Sequence, residues 1–436
     1  MVLSPSFKCA LNSLNFISKM PIQEAISKSI NNHREQLTFH DKHLCSELVY
    51  GIIRSQIRLD FIINKFIKKT KSLSSFFKNH LYLGIYSLLF LDGIPDYAII
   101  NSIVEAIKIK FGTKLANLSN AFLRNVQREL KDILELDFYK SDNSNIITYS
   151  IFYSMPITIA QMWSSNYGED LAINLMKRSF SRPYTGIRIN GNSDISKGII
   201  SEFLKHGHCY DLGNYGIAIE SGYMPESILN KNISELQNEG IISYQAAGSQ
   251  IILKELDIYN DKLPIWDLCA GIGGKTFALL ENNCHVKLAT DISKYRLKLL
   301  KERIIKYKYK DPFCLILDGL QLPIREWRGS VVLDVPCSGL GVLSRRPDIK
   351  LKVIKDKKHL LRFINIQRSI LDNISNIIHS GSYLYYITCT LNPCENEEAI
   401  YAFLHKRPQF KLICSYHTPH EHSWLEGMYG AKLQKI

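Results

Sequence analysis

Two cysteines that follow short apolar runs are the residues best suited to covalent chemistry. Cys337 stands in the word Asp-Val-Pro-Cys-Ser-Gly, a few residues after the run 331–333. Cys389 stands in Ile-Thr-Cys-Thr, just after the run 383–387. A lone cysteine in apolar surroundings is usually an inert small side chain. Two cysteines at the ends of neighbouring strands instead predict a thiol nucleophile assisted by a second thiol.

A glycine-rich turn lies between a predicted strand and a predicted helix in residues 263–280. Gly271, Gly273 and Gly274 follow an apolar run, and Lys275 opens the helix. Glycines let a ligand approach the backbone closely, and the N–H groups at a helix start favour negative charge. The spacing is that of neither a Walker loop nor G-x-G-x-x-G. We therefore expect a ligand cradle of another kind.

Three aspartates end predicted strands farther along the chain. Asp291 lies 24 residues after Asp267, where a carboxylate suits a ribose diol, and Asp318 could accept from an adenine amino group. Asp334 ends the strand before Cys337. One aspartate alone more often caps a turn. Three at the ligand-binding edge of one sheet predict a nucleoside-bearing cofactor, and the short glycine loop favours S-adenosylmethionine over a nucleoside triphosphate.

A thiol, a carboxylate and a methyl sulfonium suit methylation at C5 of cytosine. That carbon is too weak a nucleophile to attack the methyl group directly. A thiolate that adds to C6 converts the ring to an enamine whose C5 can attack, after which the C5 proton must leave and the thiol must be expelled. This reaction needs one activated cysteine, a carboxylate near ring N3, and a second group that helps release.

The elements that must position these residues fall into three predicted domains. From residue 258 to 436, strands at 285–290, 313–317, 331–333 and 383–387 alternate with helices such as 294–308, which predicts an α/β doubly wound Rossmann-like sheet. Residues 1–140 have helical periodicity, with helices expected at 43–63, 81–91, 97–110 and 119–130. Residues 156–257 predict a small α+β connecting domain, with helices at 159–179 and 224–239 and a strand at 184–189.

Composition limits the partners and the compartment. The net charge of +13 favours a polyanion such as RNA or DNA. Ten cysteines without a C-x-x-C pair predict reduced thiols, no metal site and a cytoplasmic protein. The apolar run 81–91 is too short to span a bilayer, and the first residues do not resemble a secretory signal, so we expect no membrane association.

Several words of the sequence resemble known families. The words ELVYGIIRSQIRLDFII, LGIYSLLFLDGIPDYAIINSIVEAIK and NAFLRNV are similar to the RNA-binding antitermination factor NusB. The words DLCAGIGGKT, DISKYRLKLLKER, LDVPCSGLGVLSRRPDIK and YYITCTLNPCENEEA resemble the cytosine-C5 RNA methyltransferases of the NOL1/NOP2/Sun group. The two together cover nearly the whole chain and imply an enzyme that methylates a cytosine of 16S rRNA. We separately expect the protein to be a monomer.

The resemblance also implies roles for individual residues. Cys389 would be the nucleophile, Cys337 would assist product release, and Lys275 would order the site together with Asp334. DNA cytosine methyltransferases use the Pro-Cys cysteine as nucleophile, so the Thr-Cys word favours RNA and not DNA. The implied contacts to S-adenosylmethionine or its reacting region are Cys269, Ala270, Gly271, Ile272, Gly273, Gly274, Lys275, Asp291, Asp318 and Asp334.

The chain departs from the family pattern at five positions, and two other functions stay open. The family usually has proline at Ile272, serine at Thr390, glutamate at Cys394, and acidic residues around Ala246 and Ala247. One alternative is a transfer-RNA cytosine-C5 methyltransferase. The other is a weakly active RNA-binding factor in ribosome assembly that keeps the fold without the turnover.

Overall fold

The computed structural model contains two compact units. It describes residues 3–17, 19–68, 70–141, 144–310, 312–356, 358–422 and 424–436. Unit 1 consists of Met1–Phe180 and Arg346–Ile354, and unit 2 of Ser181–Arg345 and Lys355–Ile436. No helix in the described part of the chain is long and apolar enough to cross a bilayer.

The helices of the described residues are α1 (Pro5–Phe16), α2 (Ile22–Asn32), α3 (Phe39–Phe66), α4 (Ser75–Phe90), α5 (Asp96–Phe111), α6 (Thr113–Arg128), α7 (Leu130–Leu134), α8 (Asn145–Phe152), α9 (Ile157–Tyr167), α10 (Glu169–Phe180), α11 (Ser196–Lys205), α12 (Ile233–Asn238), α13 (Ala247–Glu255), α14 (Gly274–Glu281), α15 (Lys294–Lys306), α16 (Asp348–Lys355), α17 (His359–Ile377) and α18 (Glu397–Lys406).

The strands are β1 (Thr185–Ile189), β2 (Cys209–Gly213), β3 (Gly216–Ile219), β4 (Ser227–Ile228), β5 (Lys231–Asn232), β6 (Ile242–Tyr244), β7 (Ile265–Asp267), β8 (Val286–Asp291), β9 (Phe313–Ile316), β10 (Ser330–Asp334), β11 (Tyr383–Thr388), β12 (Phe410–His417) and β13 (Tyr429–Lys435).

Unit 1 is all-α and is built around α3 and α4. Thr38 and Asp41 form a capping box that starts α3. Gly51 lets α4 approach α3, because a Cβ at Gly51 would lie 2.0 Å from the hydroxyl of Tyr86. The helices predicted at 43–63, 81–91, 97–110 and 119–130 are found within α3, α4, α5 and α6, although 119–130 extends into α7. The all-α prediction for this part of the chain is confirmed.

Unit 1 also contains a helix from much later in the sequence. Residues Arg346–Ile354, which include most of α16, belong to it. Lys350 is only 2% exposed, and its Nζ donates to the carbonyl oxygens of Ser154 at 2.9 Å and Arg54 at 3.3 Å. Burial lowers the pKa of Lys350 to about 7 because the charged ammonium loses its hydration.

Unit 2 begins with a small antiparallel sheet in the order β2-β3-β1-β6. β1 lies within the strand predicted at 184–189, and the two helices predicted between residues 156 and 257, of which the first lies in unit 1, are only partly correct. The predicted helix 159–179 is interrupted at Gly168, whose φ of 83° suits glycine, and becomes α9 and α10. The first part of the predicted helix 224–239 is the β4–β5 hairpin, because Leu229 and Asn230 turn the chain at positive φ, and the second part is helical, as α12.

The larger sheet of unit 2 has the order β12-β13-β11-β10-β7-β8-β9. Strands β11, β10, β7, β8 and β9 are parallel, and β13 and β12 add an antiparallel edge. The chain leaves β7 toward β8 on one side and later returns to place β10 on the other. The carboxyl ends of β7 and β10 therefore form the switch point at which such sheets bind ligands. The doubly wound prediction is confirmed.

Candidate active site

The glycine loop after β7 has the backbone geometry that its sequence predicts. Gly271 and Gly273 have φ values of 58° and 93°, and Gly273 caps α14, which begins at Gly274. A Cβ at Gly273 would lie 2.4 Å from the Leu300 side chain, so only glycine fits. Ile272 is 49% exposed between these glycines. The loop is an open backbone turn followed at once by free N–H groups of a helix start.

Asp291 fixes this loop from the end of β8. Its Oδ2 accepts from the Gly271 N–H at 2.9 Å, and its Oδ1 accepts from the Ser293 N–H at 2.8 Å. Arg296 lies 3.0 Å from Oδ1. Asp291 is only 4% exposed, so the carboxylate is held firmly at the loop. Asp291, the residue predicted to bind a ribose, thus also holds the glycine turn in place.

Asp267 was predicted no role of its own, but it is the most deeply buried of the aspartates at the strand ends. It is fully buried at the end of β7, and its Oδ2 accepts from the Thr276 hydroxyl at 2.7 Å. Its Oδ1 has no hydrogen-bond partner among the described residues. Burial raises the pKa of Asp267 to about 7, with smaller contributions from Asp334 and Asp291. The signal for this residue was its place at the end of the first strand.

Lys275 and Asp334 form an ion pair across the switch point. Nζ of Lys275 lies 2.6 Å from Oδ2 of Asp334, with the lysine buried and the aspartate about one-third exposed. Cys269 lies in the same acidic surroundings, and burial together with the charges of Asp267, Asp334 and Asp291 raises the pKa of its thiol well above the ordinary value. A thiol with a raised pKa is a poor nucleophile at neutral pH.

Two of the predicted cofactor-binding residues, Ala270 and Asp318, form hydrogen bonds with backbone groups. The Ala270 N–H donates to the Thr290 carbonyl at 2.8 Å, which ties the loop to β8. Asp318 follows β9, and its Oδ1 accepts from the Leu320 N–H at 2.9 Å, as in a turn. Because β9 is parallel to β8, Asp318 belongs to the same edge of the sheet, two strands from β7.

The two predicted thiols are in direct contact. The Sγ atoms of Cys337 and Cys389 lie 3.2 Å apart, and the Cys389 N–H donates to the Cys337 Sγ at 3.3 Å. Contact with Cys389, burial and the nearby charge of Glu395 raise the pKa of Cys337 well above its ordinary value. A raised pKa suits a proton-carrying group better than an attacking thiolate.

Glu395 holds both thiol-bearing loops in place. Its carboxylate is fully buried and accepts from the Ser338 N–H at 2.8 Å, from the Ser338 hydroxyl, and from the amides of Gln367 and Asn392 at 2.9 Å each. The Ser338 hydroxyl also lies 2.7 Å from that of Thr390, the residue after Cys389. Glu395 lies in the Asn-Pro-Cys-Glu-Asn word, but its role cannot be read from the sequence because its partners converge only in the fold.

The residues of the glycine loop fit a cofactor that has hydrogen-bond donors and lies against the backbone. The open backbone of the glycine loop leaves room beside Gly271 and Gly274, where an added Cβ would meet no atom within 4 Å. Oδ1 of Asp267, which has no hydrogen-bond partner in the described part of the chain, provides a buried acceptor next to that loop. Among the described residues, no group of three or more His, Cys, Asp or Glu side chains is arranged to hold a metal ion.

Comparison with known proteins agrees with this arrangement. Residues 253–432 match the family described as 16S rRNA methyltransferase RsmB/F, and residues 8–128 match the NusB family. A Bacillus subtilis (strain 168) protein named probable ribosomal RNA small subunit methyltransferase B is 29% identical over 386 residues, covering 86% of this chain and 83% of the relative.

A second relative and a solved structure extend the match. The ribosomal RNA small subunit methyltransferase B of Vibrio cholerae serotype O1 is 27% identical over 403 residues, which is 90% of this chain and 87% of that one. The crystal structure of PH0851 superimposes with a TM-score of 0.75 at 21% identity, over 100% of this chain and 99% of the other. The shared fold therefore extends over the entire chain.

Proposed function

We propose that this chain, which belongs to the RsmB/F methyltransferase family and carries a NusB-family domain before its methyltransferase domain, transfers a methyl group from S-adenosylmethionine to C5 of a cytosine in 16S rRNA. The observation that carries the proposal is the contact of Cys337 and Cys389, 3.2 Å apart at the carboxyl ends of the neighbouring parallel strands β10 and β11. A reaction that needs one thiol to attack and another to assist release has both in place here.

The RNA substrate is supported by the family and by charge. The matching family is described as acting on 16S rRNA, and the relatives are named for the small ribosomal subunit. The net charge of +13 favours binding to phosphates over binding to a neutral surface. The target cytosine must leave its stack or lie unpaired, because C6 cannot be reached within a helix. An enzyme on this substrate works in the cytoplasm.

Cys389 is the proposed nucleophile. The Cys389 thiol loses its proton, and its Sγ forms a bond to C6. The displaced ring electrons move to N3, which takes up a proton, and we assign the carboxyl group of Asp334 to that proton. Cys337 is the poorer candidate for this step because burial and its neighbour raise its pKa. Lys275, paired with Asp334 at 2.6 Å, fixes the orientation of that carboxyl group.

The methyl donor supplies the electrophile, and the chain supplies the steps on either side of transfer. The loop Cys269–Lys275 with Asp291, Asp318 and Asp267 would hold the cofactor. After transfer, the C5 proton leaves to solvent, its bonding electrons form the C5–C6 double bond again, and the bond between C6 and Sγ of Cys389 breaks with its electron pair on the sulfur. Cys337 retains a proton in contact with that sulfur and assists its departure.

The experiment compares two alanine variants on a denaturing gel with labelled 16S rRNA fragment and S-adenosylmethionine. Cys389→Ala is expected to form no covalent complex and no methylated product. Cys337→Ala is expected to attack and methylate, and then to stall as a slowly migrating protein–RNA band. Cys414→Ala, on the edge strand β12, is the matched control and should behave as wild type.

Each other outcome has a definite meaning. A band from Cys389→Ala, with none from Cys337→Ala, would reverse the two roles. A band that appears with transfer RNA and not with 16S rRNA would favour the transfer-RNA alternative. If wild type transfers no tritium from labelled S-adenosylmethionine and neither variant traps RNA, the chain is an RNA-binding factor without this activity.

A further inference from the structure

A fully buried arginine connects the small antiparallel sheet to the helix that follows the glycine loop. Arg188 lies on β1 and is 3% exposed. Its guanidinium pairs with Glu281, the last residue of α14, and Nη2 donates to Oε1 at 3.0 Å. Tyr309 donates to the same Oε1 at 2.9 Å, so the carboxylate is well satisfied. All these residues belong to unit 2.

The other side of the guanidinium reaches the glycine loop itself. Nη1 of Arg188 donates to the carbonyl oxygen of Gly274 at 3.1 Å and to Oε1 of Gln245 at 2.7 Å. Gln245 in turn donates its Nε2 to the same Gly274 carbonyl at 3.2 Å and to the Ser249 hydroxyl at 3.2 Å. The Gly274 carbonyl thus receives two donors from outside its own helix.

Holding this carbonyl determines where the next N–H points. A trans peptide unit is planar, so the C=O of Gly274 and the N–H of Lys275 point in opposite directions in one plane. The Lys275 N–H is among the first N–H groups of α14, which have no partner within the helix. Gly273 and Gly274 lack side chains and could otherwise let this peptide rotate. The two donors remove that freedom.

We propose that Arg188 and Gln245 are positioning residues that fix the peptide between Gly274 and Lys275 for binding of the methyl donor. This inference rests on the proposed function, because it assumes that the glycine loop binds S-adenosylmethionine. It assigns a role in the reaction to the connecting domain, for which the sequence suggested no chemistry. Neither residue touches the reacting atoms.

A purely structural role is the alternative to be distinguished. A buried ion pair is weak evidence for stability, because desolvation offsets much of its attraction. Removal of Arg188 alone would leave Glu281 buried without its charge partner and could prevent folding. Gln245 is neutral, so its replacement disturbs the network without leaving a buried charge. It is the better site for the first variant.

The experiment uses the full-length protein and three variants. Gln245→Met removes the amide with little change of shape, and Ser249→Ala, the matched control, removes the other partner of the same amide without touching Gly274. Arg188→Lys keeps the charge beside Glu281 but lacks the second arm toward Gly274. Calorimetric titration with S-adenosylmethionine gives Kd, thermal melting without ligand gives stability, and kinetics give KM and kcat.

We expect Gln245→Met and Arg188→Lys to raise Kd and KM for S-adenosylmethionine about 5- to 10-fold, as for loss of one or two hydrogen bonds, with kcat nearly retained. Ser249→Ala should stay within about 2-fold of wild type. A Kd unchanged in both variants, with only the melting temperature lowered, would overturn the inference and leave a structural role. Failure of wild type to bind S-adenosylmethionine would instead contradict the proposed function and this inference together.

Discussion

Replacement of Asp267 by asparagine should make the protein more stable at high pH and a poorer binder of S-adenosylmethionine. Asp267 is fully buried, one oxygen has no partner among the described residues, and burial raises its pKa from 3.8 to about 7. In an unfolded chain the same carboxyl group ionises near its ordinary value. The folded state therefore binds a proton that the unfolded state has lost, over the window from about pH 4 to about pH 7.

The magnitude follows from that difference. A shift of about 3 pKa units at about 1.4 kcal/mol each gives a loss of unfolding free energy of about 4 kcal/mol for the wild type, complete above pH 7. Below pH 4 this loss vanishes. Asparagine keeps an oxygen for the Thr276 hydroxyl but buries an amide nitrogen with no acceptor, at a cost of about 1–3 kcal/mol. The variant should therefore be more stable than wild type by about 1–3 kcal/mol at pH 9, whereas at pH 5 the two should differ by no more than about 1 kcal/mol, with the variant as the less stable protein if the amide cost is at its upper end.

The assay is urea unfolding at pH 5, 6, 7, 8 and 9, followed by tryptophan fluorescence. Trp266, Trp327 and Trp424 report on unit 2. Thr276→Val is the companion variant: it removes the one donor to the carboxylate, so the pH at which stability falls should move upward. Calorimetry should show weaker S-adenosylmethionine binding by Asp267→Asn, about 10-fold or more for a lost charge-assisted hydrogen bond.

The result that would refute this reasoning is a constant difference between wild type and Asp267→Asn from pH 5 to pH 9. That outcome would mean that the carboxylate is hydrated or otherwise paired in solution. A pH-dependent difference with unchanged affinity for S-adenosylmethionine would keep the burial argument and remove Asp267 from the cofactor site.

Two further predictions concern buried groups outside the cofactor loop. Glu395→Gln replaces an accepting oxygen by an amide nitrogen that faces the donors of Ser338 and Gln367, so calorimetry should show that the unfolding free energy falls by about 3–5 kcal/mol. The control Glu398→Gln changes an exposed residue and should melt like wild type. Equal melting of the two variants would contradict the role of Glu395 in holding the two thiol-bearing loops. Lys350 has a pKa of about 7 in the folded state, so the unfolded chain binds an extra proton from about pH 7 to pH 10. The unfolding free energy of the wild type, measured by urea melts, should therefore rise across that window relative to Lys350→Met. Parallel pH curves for the two proteins would show that Lys350 is not buried as described.

The site was predictable where local sequence determines it. A short apolar run followed by glycines, an aspartate or a cysteine marks the carboxyl end of a parallel strand, and β7, β8, β10 and β11 all end as expected. Because parallel strands end at one edge of a sheet, the same rule predicts that the cofactor loop and the two thiols lie close together. The 3.2 Å contact of Cys337 and Cys389 is the direct outcome.

The remainder depends on contacts between distant residues. Glu395 binds Ser338, which is 57 positions earlier, and Arg188 reaches Glu281 across 93 positions, so no local pattern announces either role. The hairpin β4–β5 was mistaken for helix because its turn uses Leu229 and Asn230 at positive φ instead of the expected glycine. The strands β12 and β13, which stand at one edge of the sheet, were not predicted.

The late helix α16 has a consequence for biosynthesis. Unit 1 is completed by residues Arg346–Ile354, and Lys350 bonds to backbone carbonyls that lie 296 and 196 positions earlier in the chain. During translation the first 180 residues leave the ribosome long before those partners exist, and domains otherwise tend to fold in the order of their synthesis. The carbonyl groups of Arg54 and Ser154 therefore receive the Lys350 ammonium only after about four-fifths of the chain has been made. A protease should therefore cleave the first 180 residues more readily in a nascent chain stopped at residue 180 than in one stopped beyond residue 354.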